Sequence, residues 1–234
     1  MHFSGTDVFK VLTSKGVTTL HHANSVTTSC TFLHVKGLAS RGFVEKNGLS
    51  QTAQPLSDDL DKGFGIWNDV FTDGVDVHYR GGRKRGGNDY GPVLFRLPVS
   101  VLTVLPPGSV VMVAKKNPYR WRNGEPESER YFQTLMELSL CASAGGYRME
   151  DFGHHVIIRT PTGVLPFSVF PVTIDLDDPK RTLNGPDAFE AAAAKLQAAA
   201  EASGVDITIS RHQCQTGCVC IANYARAPNF STMF

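Results

Sequence analysis

Apolar runs of strand length alternate along this chain with helical and irregular stretches, which predicts an α+β fold with one central sheet system. Three observations carry that prediction. Residues 93–97, 109–114, 155–159 and 172–176 are short apolar runs of strand length. Residues 186–202 are alanine-rich, with Phe189, Ala193, Leu196 and Ala200 along one helical face. The length, 234 residues, with 41% hydrophobic and 19% charged residues, suits one large globular domain with a core of its own.

In chain order, residues 17–22 are short and β-rich, and Asn24 or Ser25 begins a turn. Thr27, Thr28 or Ser29 can cap the helix that follows, because their hydroxyls accept from its first amides. Phe32, Leu33 and Val35 give that helix an apolar face, and Gly37 stops it. Residues 51–65 are polar, hold a proline and several aspartates, and predict a long loop or lid. A short apolar piece follows at 67–78, then a basic glycine-rich stretch that Tyr90-Gly91-Pro92 closes. Pro186 fits the first turn of the alanine-rich helix and Gly204 its exit, and 205–210 returns as a last strand.

The formal net charge of +1 excludes a global field that draws polyanions to the whole molecule. Basic residues cluster locally, at Arg80, Arg83, Lys84 and Arg85 and again at Lys115, Lys116, Arg120 and Arg122. Such clusters read equally as phosphate-binding patches or as solvated loops. No run approaches the roughly 18 apolar residues that span a bilayer, and residues 1–7 lack the pattern of a secretory signal. The expected location is therefore cytoplasmic.

Two segments carry candidate chemistry. Leu20-His21-His22-Ala23-Asn24 places a histidine where a strand hands over to a helix, and the segment runs on to Gly37-Leu38-Ala39-Ser40-Arg41. Such a junction exposes backbone amides and carbonyls beside an imidazole, a combination that suits a carboxamide and a sugar hydroxyl. Glu137, in Leu135-Met136-Glu137-Leu138, is a mid-chain acid flanked by apolar residues, which predicts a partly dehydrated carboxylate close to the core. A carboxylate near a sugar stabilises the positive charge that develops when a glycosidic bond breaks. Glu129 competes for this role.

The Leu20–Asn24 run resembles the first core strand of ADP-ribosyltransferases, and its continuation to Arg41 looks like the DarT group, which modifies DNA bases. The resemblance spans about the first 160 residues. It implies an ADP-ribosyltransferase-like fold, with split central β-sheets and flanking helices. It implies NAD as substrate, a DNA or RNA nucleobase as acceptor, a toxin role and an antitoxin protein as partner. His22 would contact the nicotinamide-side ribose, Asn24 would support the pocket and Arg41 would bind the diphosphate, with Ala23 in the same cofactor-binding run. Glu137 would be the carboxylate acting on the ribose. Ala23 stands where many relatives have glycine, and His21 offers the same pattern one residue earlier. Glu137 lacks the Glu-x-Glu or Gln-x-Glu spacing, since Gln133 lies four residues before it. In this reading residues 1–234 form one domain, with the NAD-binding and catalytic core in 1–160 and a C-terminal extension in 161–234.

Tyr79, Tyr90, Tyr131, Trp67 and Trp121 are candidate stacking partners for a nicotinamide ring or a base. Of these, Tyr79 is assigned to the NAD pocket. In the extension, His212, Cys214, Cys218 and Cys220 have a spacing that can supply four ligands to a structural zinc, or else free or redox-active thiols. Two other function classes stay open. One is a non-catalytic nucleic-acid-binding module with a zinc-stapled tail. The other is a metal-dependent nuclease around Asp73, Asp76 and His78.

Overall fold

A computed structural model describes residues 2–53, 55–76, 90–141, 153–182, 185–212, 224, 230 and 232–234, without the side chains of 55–57. In chain order the elements are α1 (Gly5–Ser14), β1 (Thr19–Asn24), α2 (Val26–His34), β2 (Gly37–Ala39), α3 (Arg41–Lys46), α4 (Pro55–Gly63), β3 (Val70–Asp73) and β4 (Val93–Pro98). They continue with β5 (Val110–Ala114), α5 (Glu127–Arg130), α6 (Leu135–Leu140), β6 (His155–Arg159), β7 (Val164–Pro166), β8 (Val172–Asp177), α7 (Ala188–Ser203) and β9 (Ile207–His212). A seven-stranded sheet has the order β5-β6-β3-β1-β4-β8-β9, and β2 pairs with β7 in a separate two-stranded ribbon. Every registered pair is antiparallel except β8 with β9. That parallel pair needs a crossover, and α7 supplies it. The chain is thus mixed α+β, as its alternating runs predict.

Strand β1, near the middle of the large sheet, alternates its side chains between two faces. Leu20, His22 and Asn24 share a face with Phe95 and Leu97 of β4. That face carries the main core, into which α1 places Val8 and Leu12, α2 places Phe32 and Leu33, and α7 places Leu196 and Ala200. Thr19, His21 and Ala23 point the other way. On that second face Met112, Ile157, Trp121, Tyr131 and Ile66 form a smaller cluster. Strands β8 and β9 extend the same sheet as β1.

Three differences from the sequence expectations have plain causes. Helix α1 follows a Ser4-x-x-Asp7 capping signal, in which Ser4 Oγ accepts from the Asp7 amide at 3.1 Å. The stretch 51–65, expected as a loop, contains α4, because Pro55 suits a first helical turn and Asp58 complements its positive end. Strands β2 and β7 have three residues each, too few to show an alternation in sequence. Helix α7 ends as expected, with Gly204 in the left-handed region at φ 64°. No helix among the described residues is long and apolar enough to cross a membrane.

Candidate functional site

The junction of β1 and α2 is built by local polar capping. Ser25, rather than Thr27, Thr28 or Ser29, caps α2, its Oγ accepting from the Thr28 amide at 3.2 Å. Asn24 Oδ1 accepts from the Ser25 amide at 3.0 Å, which fixes the side chain at the end of the strand. His22 lies against the rings of Phe32 and Phe95, with centroids 5.4 and 6.4 Å away. Its Nδ1 is 2.6 Å from the Phe71 carbonyl oxygen. A carbonyl only accepts, so Nδ1 carries the proton and Nε2 is left as an acceptor. Nε2 is 3.4 Å from Asn24 Nδ2, which can donate to it. Burial pushes the imidazole below its ordinary range, and the Phe71 hydrogen bond opposes this only in part. His22 is therefore neutral at pH 7, with one nitrogen anchored and the other an acceptor.

Hydroxyl groups carry this network to α3. Ser25 Oγ and Thr52 Oγ1 are 2.6 Å apart, and the Thr52 amide donates to Thr28 Oγ1 at 2.9 Å. Arg41 Nη2 donates to the Thr52 carbonyl at 3.2 Å and to Asp58 Oδ2 at 2.9 Å. Arg41 is the first residue of α3, whose cap is Ser40, and its guanidinium lies 5.5 Å from the Trp67 ring centroid. His22, Asn24 and Arg41 thus share one continuous polar network. Ser25, Thr28, Thr52 and Asp58 connect it and were not among the candidates. Ser25, Thr28 and Thr52 show in the sequence only as capping hydroxyls between 25 and 52, and Asp58 carries no signal of its own.

The backbone of β1 adds a third element. It is registered with β4 over its whole length, but with β3 only at His21↔Asp73. The Val99 amide donates to the Thr18 carbonyl, so even-numbered residues turn their peptide groups to β4 and odd-numbered ones to β3. Ala23 therefore presents its amide and carbonyl on the β3 side, beyond the last registered pair. The Phe71 carbonyl, which a continued ladder would set opposite Ala23, is engaged by the His22 ring instead.

No protein-family model matches this chain. No curated protein matches it either. Among solved structures it is similar to Thermus sp. 2.9 DarT in complex with ADP-ribosylated ssDNA, with a TM-score of 0.47 and 10% identity, over 84% of this chain and 95% of that one. It is likewise similar to Thermus sp. 2.9 DarT in complex with NAD+, with a TM-score of 0.43 and 12% identity, over 83% and 96%.

Glu137 stands apart from this network. It is the third residue of α6, whose cap Thr134 accepts from the Glu137 amide at 3.0 Å. Its carboxylate accepts from the Gln133 amide at 2.7 Å and pairs with Lys115, and in that order these hold it below the usual carboxylate range. Lys115 follows edge strand β5, and β6 and β3 lie between β5 and β1. Three strand spacings, about 14 Å, separate that edge from His22. The structure accordingly does not bring Glu137 and His22 together. Its apolar neighbours misled because Met136 is 73% exposed and only Leu138 is buried, on opposite sides of a short helix. Glu129 is exposed on α5. Replacing Glu137 by Gln keeps a side-chain acceptor for the Gln133 amide but removes the negative charge and the ion pair with Lys115. We expect a Tm lower by roughly 1–3 °C. Any NAD turnover should stay within about threefold of wild type, where loss of a transition-state carboxylate would cost on the order of a hundredfold. A hundredfold loss in folded protein would return this carboxylate to the site.

The remaining candidates lie elsewhere. Tyr79, His78, Cys214, Cys218 and Cys220 fall outside the described residues. His212 has Nε2 3.0 Å from Asp76 and Nδ1 3.0 Å from Asp177, so both nitrogens already face carboxylates. Among the described residues no group of three or more His, Cys, Asp or Glu side chains is placed to hold a metal, so the zinc expectation gains no support. Asp73 pairs with His155, 3.1 Å away. Tyr131 and Trp121 are core rather than stacking residues: their rings pack edge to face at 5.0 Å, and burial pushes the Tyr131 phenol to about 12. Lys116 pairs with Glu125 as Lys115 does with Glu137, which neutralises two of the four basic residues at 115–122.

Proposed function

We propose that this chain is a mono-ADP-ribosyltransferase that cleaves the nicotinamide–ribose bond of NAD and passes ADP-ribose to a nucleobase. One observation carries the reading: His22 and Arg41 belong to one polar network at the end of β1, next to Ala23 in sequence, and their chemistries match successive parts of NAD. The peptide groups of Ala23 suit the carboxamide, which has one acceptor and two hydrogens to donate. The unprotonated Nε2 of His22, which Asn24 Nδ2 approaches only to 3.4 Å, suits a ribose hydroxyl, because a neutral imidazole nitrogen accepts where a protonated one could only donate. The Arg41 guanidinium suits the diphosphate. Asn24, locked onto the Ser25 amide, keeps the imidazole from turning.

The bond breaks as nicotinamide leaves with its bonding electrons, and the sugar takes on oxocarbenium character. A nucleophile of the acceptor then bonds to that carbon and loses its proton. Holding the sugar and the leaving group in one orientation is what His22 and the strand edge contribute to this step. The nucleobase acceptor is supported by the DarT-like run from Leu20 to Arg41.

Purified protein incubated with adenine-labelled NAD and, separately, single-stranded DNA, duplex DNA, RNA and a protein mixture tests this. Label should move to a nucleic acid, with stoichiometric release of nicotinamide. Transfer to protein alone would refute the acceptor, and no nicotinamide release in any arm would refute the enzyme.

A further inference from the structure

Arg41, the residue read above as the diphosphate ligand, already has an anionic partner. Asp58 of α4 accepts a hydrogen bond from Nη2 at 2.9 Å, and its other oxygen lies 2.8 Å from Nε, an ion contact too bent to be a second hydrogen bond. Both side chains are about four-fifths buried, at 18% and 20% exposure, so the pair is shielded from solvent more than a surface ion pair is. Asp61, one turn further along α4, feels the same guanidinium. Burial is the main cause that pushes its carboxyl to about 6, with Arg41 opposing the rise and Asp58 adding to it.

The way α4 is attached matters as much. None of its residues with described side chains is fully buried. Its described polar attachments to α3 are Asp58 on Arg41 and Lys62 on Glu45, with Lys62 and Arg41 both over the Trp67 ring. Among the described residues α4 also lies against the turn at Pro118–Arg120, and its release from α3 breaks two ion pairs and the contact with the Trp67 ring.

We propose that Asp58 occupies Arg41 as an internal substitute for a diphosphate, so that a dinucleotide must displace α4 to bind, and α4 gates the site. The proposal rests on the reading of Arg41 as diphosphate ligand. While the gate is shut, Arg41 is neutralised and held in place. When it opens, the guanidinium exchanges one anion for another without ever being left alone in a partly buried position.

The test compares wild type, Asp58→Asn, Arg41→Ala and the double variant, with NAD and ADP-ribose as ligands. Binding is read by calorimetry, and opening by hydrogen exchange of the α4 amides. Asp58→Asn should tighten both ligands roughly two- to fivefold, the range expected for removing one competing ion pair, and should speed exchange in α4 before ligand is added. That gain should vanish in the Arg41→Ala background, as required if Asp58 acts through Arg41. Weaker binding in Asp58→Asn, with wild-type exchange in α4, would overturn the gate and leave Asp58 as a brace that aims Arg41. NAD binding that ignores Arg41→Ala would instead overturn the underlying assignment, and the gate with it.

Discussion

Gly91→Ala should be among the most damaging single-methyl changes this chain can take. Gly91 has φ +118°, a conformation that L side chains rarely adopt, and a Cβ there would lie 2.5 Å from the carbonyl carbon and oxygen of Asn24 and from the Ser25 nitrogen. All three atoms belong to the peptide joining β1 to α2, which the Asn24 and Ser25 caps hold rigid. No flexible side chain is available to give way, so the strand end or the helix start must shift. Strain and displacement together should cost about 3 kcal/mol or more. In a domain of this size that lowers Tm by roughly 6–12 °C. Gly16→Ala is the matched control: φ is +78° there too, but nothing lies within 4 Å of the added carbon. It should lose only the left-handed penalty, about 1 kcal/mol. Thermal unfolding of both variants is the measurement, and similar Tm losses would refute the close-approach account. The residual folded Gly91→Ala protein should also bind NAD poorly, because Asn24 and His22 move with that peptide.

What was legible in the sequence was local, and what was missed required either weak signals or distance. The run from Leu20 to Arg41 gave a correct outline, because a strand, a capped helix and a stop follow within about twenty residues. Each boundary has its own side-chain cause: Asn24 and Ser25 at the start of α2, and Ser40 at the start of α3. That continuity is also why Asn24 and Arg41 fall into one network. Glu137 had no such continuity. Thr134-x-x-Glu137 is a helix-start signature, and the structure uses the acid locally as that signature implies. Thr52 and Asp58 were invisible for another reason. Their roles come from the packing of α4 and its lead-in segment against α3, and no periodicity in a polar stretch announces that contact. The basic pairs at 115 and 116 had the same defect, since only the fold brings Glu125 and Glu137 to them.

His22→Phe should lower NAD turnover strongly while leaving a folded protein, which makes it the strongest single test of the proposed chemistry. The phenyl ring keeps the contacts with Phe32 and Phe95 but loses both nitrogens. Losing Nε2 takes away the acceptor for the ribose hydroxyl, and losing Nδ1 leaves the Phe71 carbonyl without that donor. The second loss should cost about 1–3 kcal/mol of stability, so activity must be compared below the unfolding range. The first should lower kcat/KM by roughly 10- to 100-fold. His22→Gln, which retains a donor and an acceptor, should recover part of it. The pH dependence supplies a second, independent sign. The folded-state pKa of His22 lies below the ordinary 6.5, so its contribution to stability is fully present above pH 6.5. It is lost as the pH falls below that value, because the unfolded chain takes up the proton first. Protonation of the folded form also turns Nε2 from acceptor to donor. Wild-type binding of NAD should therefore hold between pH 7 and 8 and weaken on acidification, and His22→Phe should lose less stability than wild type over the same acid range. An unchanged kcat/KM in folded His22→Phe would remove the imidazole from the site.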